Sequence, residues 1–110
     1  MIGVVFPNAT LRRFDPELWA LRLASGQIAA VRTDWDRAAS GAPGHDLRRH
    51  LARARDTVAE ARARIDRDGA PGDGWRERLE EELRAARRII VRQQIARYGR
   101  WWPSERRYLD

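Results

Sequence analysis

At 110 residues the chain is sized for one hydrophobic core, and a content of 43% apolar and 35% charged residues argues against both a disordered tail and a membrane protein. Cysteine is absent, which removes disulfide frameworks, thiolate catalysis and cysteine-ligated zinc together. The net charge is +6 and all 22 basic positions are arginine, so no P-loop lysine or Schiff-base lysine exists. Arginine without lysine, beside abundant alanine, is the usage of a high-GC genome. The placement of the charge is therefore more informative than its total.

The opening residues Met1-Ile2-Gly3-Val4-Val5-Phe6 lack a basic leader and a long apolar run, so no signal peptide is expected. No apolar stretch is long enough to span a bilayer, and the expected setting is a bacterial or phage protein of the cytoplasm. Residues 2–6 read as a short strand, Pro7-Asn8 as a turn and residues 10–14 as a return strand. Because a lone hairpin is marginal in water, the 1–14 segment is expected to lie on the rest of the chain or on a partner.

Asp15-Pro16 opens the first helical segment, 15–39, with an N-cap residue followed by proline at the first helical position. Leu18, Leu21, Ile28, Val31, Trp35 and Ala38 follow at helical intervals. Ser25-Gly26 interrupts the pattern, which predicts one kinked helix, or else two short ones. A break at Ser40-Gly41-Ala42-Pro43-Gly44 leads to the second segment, 46–68. Its seam of Leu47, Leu51, Ala54, Val58, Ala61 and Ile65 is narrow enough for close antiparallel packing. Glu60–Arg64, Arg62–Asp66 and Arg64–Asp68 are set for i,i+4 ion pairs, and Gly69 occupies the C-terminal glycine position. The third segment, 75–98, carries Leu79, Leu83, Ala86 and Ile90, joined later by Ile89, Val91 and Ile95. That second half needs cover from two directions, and the first segment is the obvious source. The fold class is thus all-α: one domain, a small up-down-up three-helix bundle, with a β-like N-terminal segment and an irregular Trp-rich tail, 99–110.

The most informative stretch is the last. Eight arginines and one acid fall between Arg84 and Arg107, interleaved with Tyr98, Trp101 and Trp102, and cations alternating with flat rings suit phosphates and bases. A symmetric hairpin of the second and third helices about Pro71 would bring residues near 47 opposite residues near 96. One pole would then collect Arg48, Arg49 and Arg53 with Arg88, Arg92, Arg97 and Arg100, beside Trp101. The helix macrodipole explains glutamates early and arginines late in the third helix, but not arginines at the start of the second, where each is unfavourable by up to about 1 kcal/mol. Free backbone N–H groups beside arginines are instead an anion site.

Catalytic signatures are missing. His45 and His50 are five apart, which does not align two ligands on a helix face, and no metal is expected. Glu80-Glu81-Glu82 point in three directions around a helix. Asp66-Arg67-Asp68-Gly69 lacks the remaining ligands of a calcium loop, and Gly69–Gly74 has neither the strand nor the lysine of a phosphate-binding loop. Ser25, Ser40 and Ser104 have no nucleophile-elbow context. The expectation is a non-catalytic subunit without cofactor or small-molecule substrate. It would bind nucleic acid through Arg48, Arg49, Arg53, Arg88, Arg92, Arg97, Arg100 and Trp101, largely without sequence preference and within a larger nucleoprotein assembly. The alternative is an adaptor or structural assembly subunit, docking a protein partner or another copy through the N-terminal strand and the Trp-rich tail.

Overall fold

A computed structural model describes residues 15–39 and 41–99. The N-terminal strand expectation, and the tail with Arg100, Trp101 and Trp102, lie outside the described residues. Those described form three α-helices, α1 (Pro16–Ala38), α2 (His45–Asp68) and α3 (Trp75–Tyr98), with no strand among them. All three pack against one another.

Local chemistry sets the boundaries. Asp15 caps α1, its Oδ1 accepting from the Glu17 and Leu18 backbone N–H groups at 2.9 and 3.3 Å, and Pro16 occupies the first turn, where its missing N–H costs nothing. The helix continues without a break through Ser25-Gly26, so the segment is not two short helices. An added Cβ at Gly26 would meet no atom within 4 Å, because this glycine sits on an open face and carries no packing role. At the end of α2, Gly69 takes the left-handed conformation (φ 83°) and donates its N–H to Ile65 O, as expected of a C-terminal glycine.

The core is a stack of the expected seams. Leu21, Ile28, Val31 and Trp35 of α1 meet Leu47, Leu51 and Ala54 of α2 and Leu79, Leu83, Ala86 and Ile90 of α3, all buried. Ala54 and Ala86 are fully buried, and their small side chains let the helix axes approach closely. Four positions depart from the expected pattern. Thr57 is buried and returns its hydroxyl to Arg53 O at 2.9 Å. Val58 and Ile65 are only partly buried. Ile95, expected under cover, is 47% exposed, because it shares the outward face of α3 with Arg88 and Arg92, seven and three residues before it.

Two contacts define how the helices run. Arg76 Nη2 meets Glu17 Oε1 at 3.3 Å, which puts the starts of α1 and α3 at one end. The short linkers then place α2 antiparallel to both, the up-down-up order. His50 Nδ1 donates to Glu82 Oε1 at 2.7 Å, and this contact corrects the expected register. In a symmetric hairpin His50 would face Gln93, which is eleven residues, or roughly 16 Å of helix, beyond Glu82. Instead α3 starts alongside the body of α2, and the linker runs back along α2. Gly72 (φ 81°) lies so near Arg64 that a Cβ there would fall 2.9 Å from the guanidinium. Of the three expected ion pairs, Glu60–Arg64 (3.2 Å) and Arg62–Asp66 (3.6 Å) form, and Arg64–Asp68 does not among the described residues. Arg64 turns to Glu60 and the linker, while Asp68 pairs with Arg67 at 3.5 Å.

Leu83→Ala should cost about 3 kcal/mol, seen as a loss of chemical-denaturation midpoint. Val58→Asp, on the partly open flank of α2, should remain folded and helical by circular dichroism. Unfolding of the Val58→Asp protein would mean that this flank is sealed.

Candidate nucleic-acid interface

The predicted cations fall on two surfaces. Arg48, Arg49 and Arg53 occupy the first turns of α2 and are exposed. Arg88 and Arg92 sit four apart on the exposed side of α3, away from buried Leu83, Ala86, Ile90 and Gln94, and Arg97 is exposed in its last turn. Because the helices are staggered, the part of α3 that meets the start of α2 carries Glu82, and Arg92 and Arg97 stand farther along the bundle. The single acid-free pole expected from a symmetric hairpin is therefore not assembled among the described residues.

Local pairing sorts the arginines further. Arg49 Nη2 lies 3.7 Å from Asp46 Oδ1, and Arg53 Nη1 lies 4.0 Å from Glu82 Oε2, the carboxylate that also holds His50. Glu82 and His50 are each 17% exposed in their side chains, so this contact is sheltered from water and salt, whereas the Arg49 pair is open and weak. Arg48, Arg88 and Arg92 make no ion pair among the described residues. Arg84, one turn before Arg88, shares Glu80 at 3.8 Å. The outward side of α3 thus presents Arg84, Arg88 and Arg92 at four-residue spacing, and no acid occurs between Leu83 and Tyr98.

The start of α2 is the second cationic surface. Its N-cap, Gly44, supplies no side-chain hydrogen bond, so among the described residues no side chain caps the first-turn N–H groups, which favour an anion. Arg48 and Arg49 stand beside them. His45 is exposed at this terminus and His50 is engaged by Glu82. Among the described residues no three His, Asp or Glu side chains converge as metal ligands, and no helix is long and apolar enough to cross a membrane.

No family model, curated protein or solved structure matches this chain. The functional reading rests on its own surfaces.

Two features were not anticipated from the sequence. Glu82 serves His50 and Arg53 across a separation of 32 residues, and only the stagger of α2 and α3 creates that contact. The core also holds Asp34 (3% exposed), paired with Arg37 at 3.4 Å, and Gln94 (1% exposed), whose Oε1 has no hydrogen-bond partner among the described residues. Helical periodicity could have flagged both, since each continues a buried seam, Asp34 after Val31 and Gln94 after Ile90.

The sheltered His50–Glu82 contact should couple the two helices. In a double-mutant cycle, His50→Ala and Glu82→Ala should show about 1 kcal/mol of interaction energy, and a coupling near zero would make the contact incidental.

Proposed function

We propose that this protein is a non-catalytic nucleic-acid-binding subunit that grips phosphates through arginines and reads little or no base sequence. The observation that carries the proposal is the cationic side of α3. Arg88 and Arg92 are exposed and without ion pairs among the described residues, Arg84 precedes them on the same side, and no acid follows Glu82 before Tyr98. Residues four apart on a helix lie about 6 Å from one another along the axis, close to the spacing of successive phosphates on one strand, so a stripe of this kind can track a backbone. The uncapped start of α2 with Arg48 and Arg49 provides a second contact for the same polyanion. Arg97, Arg100 and Trp101 extend the proposal toward the tail on their sequence positions. Arg53 is a weaker participant, because Glu82 competes for its charge.

Binding of this kind is electrostatic, with affinity falling log-linearly with salt. Arg88→Glu with Arg92→Glu should weaken binding of labelled oligonucleotides at least about tenfold in fluorescence anisotropy and flatten the salt slope by about 2. Circular dichroism should be unchanged, since both side chains are exposed. Conversely, Glu82→Gln releases Arg53 and should tighten binding. Absence of oligonucleotide binding by the unaltered protein at low salt would overturn the proposal.

The second reading is a protein–protein adaptor. One observation favours it: a largely apolar groove between α1 and α2, of about 1150 Å³, lined among the described residues by those two helices and the α1 cap Asp15 alone.

A further inference from the structure

We propose that the groove between α1 and α2 receives an acidic amphipathic helix from a partner protein. This rests on the adaptor reading and names the partner's chemistry; it is independent of the arginine stripe on α3. The groove exists because α3 covers only one side of the α1–α2 pair. Its walls include Leu18, Trp19 and Ala29 of α1 and Val58 and Ala59 of α2, with Leu21 and Ile28 at its base. Trp19 is 47% exposed there, a large ring with half its surface open to solvent. Ser25, Ala29 and Ala59 are small, and Gly26 beside them has open space around it, so another backbone can come close.

Helical form follows from hydrogen bonding. Both walls are α-helices whose backbone groups are already used internally, so an extended segment laid here would leave its own N–H and C=O groups unpaired against apolar side chains. A helix satisfies them itself and presents one apolar stripe. The groove runs along α1 from Leu18 to Thr33, roughly 22 Å or four helical turns.

Acidity follows from the rim. Arg22 and Arg32 line the α1 wall, Arg55 and Arg62 the α2 wall, and the one acid of the lining, Asp15, is committed to capping α1. Arg32 and Arg62 are shared with Asp36 and Asp66 at 3.5 and 3.6 Å, whereas Arg22 and Arg55 make no ion pair among the described residues. Cations therefore border the apolar floor on both sides, the complement of an apolar stripe flanked by carboxylates. A second copy of the chain would oppose the same four arginines to themselves. The 1–14 segment of this chain carries Arg12 and Arg13 and no acid, so it too mismatches the rim.

The test uses the full chain and a synthetic amphipathic peptide of about 18 residues, roughly 27 Å as a helix, with a leucine stripe flanked by glutamates. Its isomer carries lysines in place of the glutamates. Anisotropy should show the glutamate peptide binding at least about tenfold tighter than the lysine peptide. Arg22→Glu with Arg55→Glu, both at exposed positions, should invert that preference with the circular dichroism unchanged, and Arg88→Glu with Arg92→Glu should leave it as it is. Equal binding of the two peptides would overturn the inference while sparing the adaptor reading; binding of neither would overturn both. The inference also falls if the peptide binds only after residues 2–6 are deleted, since the chain's own segment would then hold the groove. Competition by oligonucleotide that the Arg22/Arg55 reversal abolishes would make nucleic acid the occupant. Self-association in sedimentation, lost on the same reversal, would make it a second copy.

Discussion

Everything in this bundle depends on α3 having to serve two helices with one seam. Trp75, Leu79, Leu83, Ala86, Ile90 and Gln94 are all buried, a line of inward positions running the length of the helix. Both α1 and α2 close onto that line. With the fully buried Ala54 and Ala86 allowing close approach, α2 packs tightly on α3 and is locked to it by the sheltered His50–Glu82 contact at 2.7 Å. What remains for α1 and α2 is contact along one edge of each. Between their outer edges lies the groove.

The same constraint distributes the charge. Because the linker containing Gly72 doubles back along α2, the glutamates at the start of α3 come beside α2, and the arginines of its second half project past the region where α2 could offer them carboxylates. Arg53 is drawn into the helix–helix contact, while Arg88 and Arg92 are left on open surface. The part-buried His50–Glu82 contact and the exposed cationic side are thus two consequences of one stagger. A symmetric hairpin would have produced a single polar cap; the staggered one produces an arginine-lined flank on α3 and a separate arginine-rimmed groove on the opposite side of the bundle.

These two surfaces differ in what they ask of a ligand. The α3 side offers cations around one exposed isoleucine, Ile95, rather than an apolar groove, which suits a hydrated phosphate backbone that need not be desolvated. The groove offers an apolar floor with cations at its margins, which rewards a partner able to bury hydrocarbon and keep carboxylates at the edge. A subunit holding nucleic acid on one side and an acidic helix on the other would join a polyanion to a protein without either competing for the same arginines.

The sequence by itself determined the helices. Asp15-Pro16, Gly69 and the two Gly/Pro breaks act through caps and backbone conformations that involve only a few neighbouring residues, so they are readable without knowing the fold. The seams of α1, α2 and α3 were equally legible, because a 3.6-residue period reports which face of each helix is buried. Tertiary structure alone decided the register between helices. Periodicity gives the angular position of a residue around its own axis and says nothing of its height relative to a neighbour. That is why Arg48 and Arg92 could be placed on one pole by assuming symmetry, why the carboxylate of Glu82 beside His50 and Arg53 went unseen, and why Val58, a seam residue by spacing, lies on a partly open flank. It is also why the arginines at 22, 32, 55 and 62, unrelated along the chain, border one groove.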